Sequence, residues 1–293
     1  MLHTILPTQM QAAEQTAFAA GLSPLLTMET AARAAFDVLL DLLGCDCRGK
    51  NVLFLCGPGN NGGDGLVMAR LLLQARGFAR IILLNTPKTA EAQINLRHLQ
   101  AMGADIEAVP DELLEDEYDA VVDALFGTGF TGSIAADSPA GRLLTWANTC
   151  GPMLSIDVPS GMDAATGAVE GVCARAIWTV TFHRPKPGLY LTERRDCVGE
   201  ITVAPIGLSR EFDPQGGLLV NEEGDLHTLL PDRPASAHKG DCGRTVIYAG
   251  SLGMAGAGMM AARALRCPFC SRRCPTPRVW RRRISPRPSA MRC

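Results

Sequence analysis

The sequence predicts an α/β fold, a Rossmann-like three-layer α/β/α sandwich around a mainly parallel sheet. Three observations support this prediction: short continuous apolar runs such as residues 51–56 and 119–126, helical segments between them, and glycine-rich turns that follow them. Strands that are buried on both faces appear as continuous apolar runs, and parallel neighbours need helical crossovers. We therefore expect helices on both faces of the sheet.

The predicted elements follow one another along the first 206 residues. Two amphipathic helices are expected in the first 45 residues, ending near Gly21 and Gly44, because apolar residues recur there at helical spacing and glycine ends helices. A further helix opens directly after a glycine-rich loop and runs to Gly77. Strands are predicted at 51–56, 79–85, 105–109, 119–126, 152–158, 176–182 and 200–206, and helices at 90–102 and 138–149.

The rest of the chain predicts a second, incomplete unit. A polar, turn-rich link precedes a predicted strand at 244–250 and a helix at 255–265. Residues 267–293 show neither helical nor strand periodicity, and the spacing of Cys267, Cys270 and Cys274 lacks a well-placed fourth zinc ligand. We expect a domain over 1–215, a linker and partial domain over 216–266, and a disordered tail without function over 267–293.

Charge and cysteine usage exclude several classes of protein. The tail holds eight arginines and no acid, so the first 266 residues carry 20 basic and 30 acidic residues, which argues against nucleic-acid binding. No apolar stretch is long enough to span a membrane, and no secretory signal precedes the helices. Scattered cysteines fit reduced thiols. We expect a cytoplasmic protein with no nucleic-acid or membrane partner, and possibly a homo-oligomer.

The loop Gly57-Pro-Gly-Asn-Asn-Gly-Gly-Asp-Gly65 is the first candidate site. Its glycines would let backbone approach a ligand, and the following helix N-terminus would favour an anion. The usual dinucleotide signature is incomplete, because Asn85 ends the second strand where an acid would hold a ribose. A tight turn with Asp64 as helix cap is the alternative, but it does not require two consecutive asparagines. We favour ligand binding.

Two further strands end in acidic residues before glycine turns. Asp123 and Asp157 lie at these ends, and Ser160 follows Asp157. In a parallel sheet they would share one edge with Asn61 and Asp64. Each acid alone is about as readily explained by a turn or cap. Together, these oxygen-bearing side chains could bind a hard cation, and the lack of His or Cys at this edge disfavours zinc.

Lys186 lies between two prolines in the loop after the predicted strand 176–182. A lysine fixed in this way could contact a phosphate or donate a proton, and a solvated loop charge is an equally good interpretation. His183, in the same loop, is expected to be packed or solvated rather than catalytic.

Four motifs occur in order at suitable spacing across residues 1–215: CGPGNNGGDGLVMARLL, VVDALFGTGFTG, SIDVPSGMDAATG and TFHRPKPGLYL. They resemble the N-terminal domain of YjeF-type bifunctional NAD(P)H-hydrate repair proteins, the NAD(P)HX epimerase domain. Residues 237–266 resemble the opening of the family's second domain, a ribokinase-like ADP-dependent dehydratase. The resemblance implies interconversion of the R and S epimers at C6 of hydrated NADH and NADPH.

The resemblance also implies roles for particular residues. Asp157 would be the first candidate for proton transfer and Lys186 the second. Potassium would be bound by Asn61, Asp123 and Ser160. The residues that would contact NADHX or NADPHX are Asn60, Asn61, Gly62, Gly63, Asp64, Gly127, Thr128, Gly129, Phe130, Thr131, Gly132, Ser133 and Asp157.

Two departures from the family pattern stand out. Ala32 occupies a position where glycine is usual, which affects local packing rather than the site. The later GAGD-type motif of the second domain is missing, so dehydratase activity is expected to be absent. Two other functions stay open: a nonenzymatic nucleotide-binding or scaffold module, and an NAD(P)-dependent oxidoreductase.

Overall fold

The structure is a computed structural model that describes residues 2–113, 116–214, 217–225 and 256–266, together with the single residues 236, 238, 247 and 249. It divides into two units, Met1–Leu229 and Leu230–Cys293. The second unit contains a described helix at Gly256–Arg266, which confirms the helix predicted at 255–265. Most of the predicted strand 244–250 and all of the tail 267–293 lie outside the described residues.

The first unit contains nine strands and six α-helices among its described residues. The strands are β1 Leu2–His3, β2 Asn51–Cys56, β3 Phe78–Leu83, β4 Asp105–Ala108, β5 Ala120–Ala124, β6 Met153–Ile156, β7 Trp178–Phe182, β8 Glu200–Ala204 and β9 Leu219–Val220. The helices are α1 Pro7–Ala19, α2 Pro24–Leu42, α3 Asn60–Gln74, α4 Ala90–Ala101, α5 Pro139–Ala147 and α6 Gly188–Leu191, and the helix of the second unit is α7. All seven strands predicted before residue 206 are therefore present.

Seven strands form one sheet in the order β4-β3-β2-β5-β6-β7-β8, and every neighbouring pair is parallel. The chain changes direction across the sheet between β2 and β5, and a crevice opens at the carboxyl ends of the strands at such a point. The register places Asp123 of β5 between Leu55 of β2 and Ser155 of β6. The predicted parallel α/β fold is confirmed.

Alternating side chains of the strands build two hydrophobic cores. Val52 and Phe54 of β2 join the core that includes residues of α1 to α4, whereas Leu53 and Leu55 join the core that includes α5. All four side chains are fully buried. Since successive strand residues point to opposite faces, helices cover both faces of the sheet, as predicted.

Helix α3 begins earlier than the glycine-rich sequence suggests. Its first residue is Asn60 and its N-cap is Gly59. Asp64 therefore lies inside the helix, and its interpretation as a helix cap is wrong. Glycine is needed for packing here, because a Cβ on Gly62 would lie 1.9 Å from the carbonyl oxygen of Gly57. The first turn of the helix is therefore packed tightly against the preceding loop.

A small two-stranded sheet holds the N-terminal segment in place. Strand β1 pairs antiparallel with β9, and Thr4 donates its backbone N–H to Leu218 at 2.9 Å. The N–H of Ile5 is bonded to the carbonyl of Pro185 at 3.0 Å, so the start of α1 is fixed next to the loop that carries Lys186. Within the described part of the chain, no helix has the length and apolar character needed to span a bilayer.

Candidate active site

Asp123 lies beneath the carboxyl edge of the sheet and is fully buried. Its carboxylate accepts hydrogen bonds from Ser155 Oγ at 2.8 Å, Ser160 Oγ at 2.6 Å and the Ser160 N–H at 2.9 Å. Burial raises the pKa of Asp123, and the hydrogen bonds from Ser160 and Ser155 oppose that rise. In the described residues no basic side chain pairs with this carboxylate.

Asp157 and Lys186 form a buried ion pair at the same edge. Lys186 Nζ lies 2.6 Å from Asp157 Oδ1 and also donates to Thr181 Oγ1 at 3.1 Å and to the Phe182 carbonyl at 2.9 Å. The lysine is only 1% exposed, so its interpretation as a solvated loop charge is wrong. The other Asp157 oxygen accepts the Thr128 N–H at 3.0 Å.

The surroundings of Asp157 favour its charged form. Burial raises the pKa of Asp157, but the Lys186 ammonium and the Thr128 N–H outweigh burial and hold that pKa below its usual value. Asp157 also adopts a left-handed backbone conformation with φ of 68°. Such strain costs on the order of 1 kcal/mol or more and is concentrated at functional sites.

A cavity of about 90 Å³ lies in front of this ion pair. Asp157, Lys186, Thr128, Asn60 and Asp64 line it, so five predicted site residues are brought together. Burial raises the pKa of Asp64 well above its usual value, and the nearby carboxylate of Asp157 raises it further. The surroundings therefore shift the pKa values of Asp64 and Asp157 in opposite directions within one cavity.

The loop predicted to contact ligand divides into two parts. A Cβ on Gly127 would lie 3.1 Å from both Asn61 Oδ1 and Asp157 Oδ2, so this glycine closes the inner side of the site. Phe130 packs on Phe126 with ring centroids 5.1 Å apart. The outer residues are exposed and do not line the cavity; they are Gly129, Thr131, Gly132 and Ser133.

Asn61 and Gly63 lie in the first turns of α3. The amide nitrogen of Asn61 is buried and has no hydrogen-bond partner among the described residues. A Cβ on Gly63 would lie 2.5 Å from the Met28 methyl group, so α2 packs closely here. The three predicted cation ligands fall into a contacting pair, Asp123 and Ser160, and a separate side chain, Asn61, beside Gly127.

His183 is packed, as predicted. Its side chain is nearly buried and its Nε2 lies 2.5 Å from Asp213 Oδ1. Arg184 bonds the second oxygen of the same carboxylate. These contacts fix the loop before Lys186 rather than facing the cavity.

The cavity is also lined by two acidic residues that were not predicted from the sequence. They are Glu14 on α1 and Glu91 on α4. Burial raises the pKa of Glu14, and the charge of Asp157 adds to that effect. The sequence signal for Glu14 was its position next to Ala13 on the apolar face of α1. No comparable signal marks Glu91, which lies in the first turn of a helix where acids are common.

The fold and the site define a parallel α/β domain with a carboxylate-rich cavity at the carboxyl edge of its sheet. A family model described as YjeF-related protein N-terminus matches residues 26–188, more than half of the chain. The chain belongs to this family.

Curated relatives carry a common name. The bifunctional NAD(P)H-hydrate repair enzyme Nnr of Pyrobaculum aerophilum is 36% identical over 272 residues, which cover 90% of this chain and 52% of the relative. The enzyme of the same name from Methanothermobacter thermautotrophicus is 37% identical over 269 residues, which cover 88% of this chain and 49% of the relative. The chain thus spans about half the length of these relatives.

A solved structure supports the fold. The crystal structure of yeast ynu0 (YNL200c) superposes with a TM-score of 0.62 at 21% identity, covering 73% of this chain and 96% of the yeast chain. This similarity supports the α/β fold.

Proposed function

We propose that the first unit is an NAD(P)H-hydrate epimerase that interconverts the R and S forms of NADHX and NADPHX. One observation carries this proposal: a buried Asp157–Lys186 pair faces a cavity at the switch point of the sheet. The names of the relatives supply the substrate class. Because the chain spans about half their length, dehydratase activity is not assigned to it.

The chemistry inverts one ring carbon by moving protons on the two heteroatoms bonded to it. C6 of the hydrated nicotinamide ring carries a hydroxyl group and is bonded to the ring nitrogen N1, which makes it a hemiaminal carbon. If the C6–N1 bond opens, the hydroxyl becomes an aldehyde, and closure on its other face inverts C6. Opening releases the hydroxyl proton, so a proton acceptor within hydrogen-bond reach accelerates the reaction.

Asp157 is the proposed proton acceptor. Its pKa is held below the usual value, so the carboxylate is charged at neutral pH and can accept a hydrogen bond from the hydroxyl. Lys186 is almost fully buried and already holds Asp157 and two neighbouring oxygens. Its proposed role is to orient Asp157 and keep it charged.

The cavity and the neighbouring loop would bind different parts of the substrate, the nicotinamide ring and the pyrophosphate. The cavity carries four carboxyl groups and one lysine, which favours the neutral ring over a phosphate; the carboxyl groups are Glu14, Asp64, Glu91 and Asp157. We propose that the exposed loop Gly129–Ser133 contacts the pyrophosphate side through its backbone. Gly62, Gly63 and Phe130 would shape the walls rather than bond the substrate.

The oxygen set beside the cavity fits a monovalent cation such as potassium. Asp123 supplies a buried carboxylate that lacks a basic partner among the described residues, and Ser160 Oγ lies 3.2 Å from the Phe126 carbonyl oxygen. The unpartnered amide of Asn61 can present its oxygen instead, since the two ends of an amide are not distinguished by shape. Such a cation would supply positive charge next to the substrate-binding loop.

The test follows pure (R)-NADHX by chromatography in potassium buffer, with and without the full chain and without ADP or ATP. We expect the S epimer to appear faster with the protein and expect Asp157→Asn to abolish the acceleration. Asparagine tolerates the left-handed backbone better than alanine, so a loss reflects the missing carboxylate. A folded wild-type protein that does not accelerate epimerisation would refute the proposal.

A further inference from the structure

Helix α1 carries one acidic residue within its apolar face. Met10, Ala13 and Ala17 are its buried residues. Glu14 lies one turn from both Met10 and Phe18, and these three side chains line the cavity together. A carboxylate in an apolar stripe is unfavourable unless something compensates it.

The structure offers Glu14 no compensating partner. Within the described residues, no side chain forms an ion pair or a hydrogen bond with its carboxylate. The arginines of the neighbouring helices are already engaged, since Arg33 and Arg70 both bind Glu29. Lys186 is engaged by Asp157. The carboxyl group of Glu14 is therefore left facing the cavity.

The charges around Glu14 favour its protonated form. Asp64 faces the cavity from α3, Glu91 from α4, and Asp157 with Lys186 from the sheet edge. Burial raises the pKa of Glu14, Asp157 raises it further, and Lys186 opposes both. Four carboxyl groups, Glu14 included, line the cavity beside one paired lysine, and they cannot all ionise without repulsion. The surroundings therefore favour the protonated form of Glu14 in the cavity that also holds the charged Asp157.

We propose that Glu14 is a catalytic residue, the proton donor in the cavity that it lines together with the acceptor Asp157. The inference rests on the proposed epimerase function. When the C6–N1 bond breaks, Asp157 takes the hydroxyl proton and the C6–O bond becomes a carbonyl. The electron pair of the broken bond stays on N1, which takes the proton of Glu14. Closure on the other face returns both protons, so the enzyme is unchanged.

The test compares Glu14→Gln with the wild type in the full chain. Glutamine keeps the shape and can form hydrogen bonds, but it cannot transfer the proton. We expect kcat to fall about a hundredfold or more, with a smaller change in KM. The alkaline fall in kcat that follows loss of the Glu14 proton should be absent in this variant. Glu14→Asp should keep part of the activity.

The control is Asp37→Asn, which makes the same acid-to-amide change at an exposed position on α2 and should leave kcat unchanged. A second readout is thermal unfolding. When the pKa of a carboxyl group is higher in the folded than in the unfolded protein, the protein becomes less stable as pH rises toward the folded pKa. Glu14→Gln removes this pH-dependent loss, so its stability relative to the wild type should increase as pH rises above the unfolded pKa of about 4.3 and level off beyond the folded pKa.

The outcomes separate the two proposals. A wild type that fails to epimerise NADHX overturns both. An active wild type with Glu14→Gln within twofold of its kcat and an unchanged alkaline limb overturns only the role of Glu14. If Glu14→Gln does not fold, Glu14→Ala takes its place, because alanine suits a helix, and the same loss of kcat is expected.

Discussion

Lys186 Nζ lies 2.6 Å from Asp157 Oδ1, and both groups are held at the carboxyl edge of the sheet away from bulk water. Asp157 follows β6 and Lys186 follows β7, and these strands pair side by side. Two loops at the ends of neighbouring strands therefore deliver opposite charges to one point. The pair neutralises most of the charge that burial would otherwise penalise, and it leaves one carboxylate edge facing the cavity.

Breaking this pair should destabilise the fold. Lys186→Met leaves the Asp157 carboxylate buried without its cation, and we expect a loss of about 3–5 kcal/mol in the free energy of unfolding. The double variant Asp157→Asn/Lys186→Met should lose less than the sum of the single variants, because neither charge is then unpaired. Urea unfolding measures each value.

An exposed pair provides the matched control for that cycle. Lys50 Nζ lies 2.7 Å from Asp119 Oδ1, but the side chains are 38% and 35% exposed. Lys50→Met should cost less than about 1 kcal/mol, since water screens such pairs. If Lys186→Met and Lys50→Met lowered the free energy of unfolding equally, burial would not make the Lys186 pair more stabilising than the exposed pair.

Lys186→Met should also shift the pH dependence of epimerisation. In the wild type the Lys186 ammonium holds the pKa of Asp157 below its usual value, and the acid limb of kcat/KM should follow that lowered pKa. Without Lys186, burial is opposed only by hydrogen bonds, and the pKa of Asp157 rises. The acid limb of Lys186→Met should therefore shift to higher pH. An unchanged limb would mean that Asp157 is not the group that must be deprotonated.

The sequence predicted the strands well because each is a continuous apolar run, as in residues 51–56. It predicted that Asp123, Asp157 and Asn61 share an edge, because the carboxyl ends of parallel strands must. It did not predict that Lys186 is buried, since the partner that permits burial lies 29 residues away. The start of α3 at Asn60 was not predicted, because consecutive glycines are typical of a loop. Gly62 instead lies in the helix, where its lack of a Cβ allows close contact with the backbone of Gly57.

Two glycines of one loop should respond differently to alanine. A Cβ on Gly127 would lie 3.1 Å from Asn61 Oδ1 and Asp157 Oδ2, whereas one on Gly129 would meet nothing within 4 Å. We expect Gly127→Ala to lower kcat/KM at least about tenfold, since a displaced catalytic group loses its alignment. Gly129→Ala should remain within about twofold. Chromatographic assays of both variants give the comparison, and equal effects would contradict it.

Potassium should stabilise the protein through Asn61. A cation that binds only the folded state raises the unfolding temperature with its concentration. We expect potassium chloride to do so and tetramethylammonium chloride at equal ionic strength not to. Asn61→Ala should lose the response, yet it should cost little stability in cation-free buffer, because the Asn61 amide nitrogen has no partner among the described residues.

Asn95 supplies the control for this measurement. Asn95 is buried, and its amide donates a hydrogen bond to the Glu91 carbonyl at 3.0 Å. Asn95→Ala should therefore lower stability by about 1 kcal/mol or more and keep the potassium response. If Asn61→Ala responds to potassium like the wild type, Asn61 is not a ligand.

The end of the first domain can be located by comparing two fragments. The predicted boundary at residue 215 would remove β9, the partner of β1, and with it the hydrogen bonds that join Thr4 to Leu218. Thr4 is buried, so a fragment of residues 1–215 should be less stable than one of residues 1–225 by about 1–3 kcal/mol. The shorter fragment should also show a higher KM, since β1 fixes α1 beside the cavity. Urea unfolding and the epimerase assay measure both effects. Equal stability and equal KM would instead support the boundary at 215 and show that β9 is dispensable for the site.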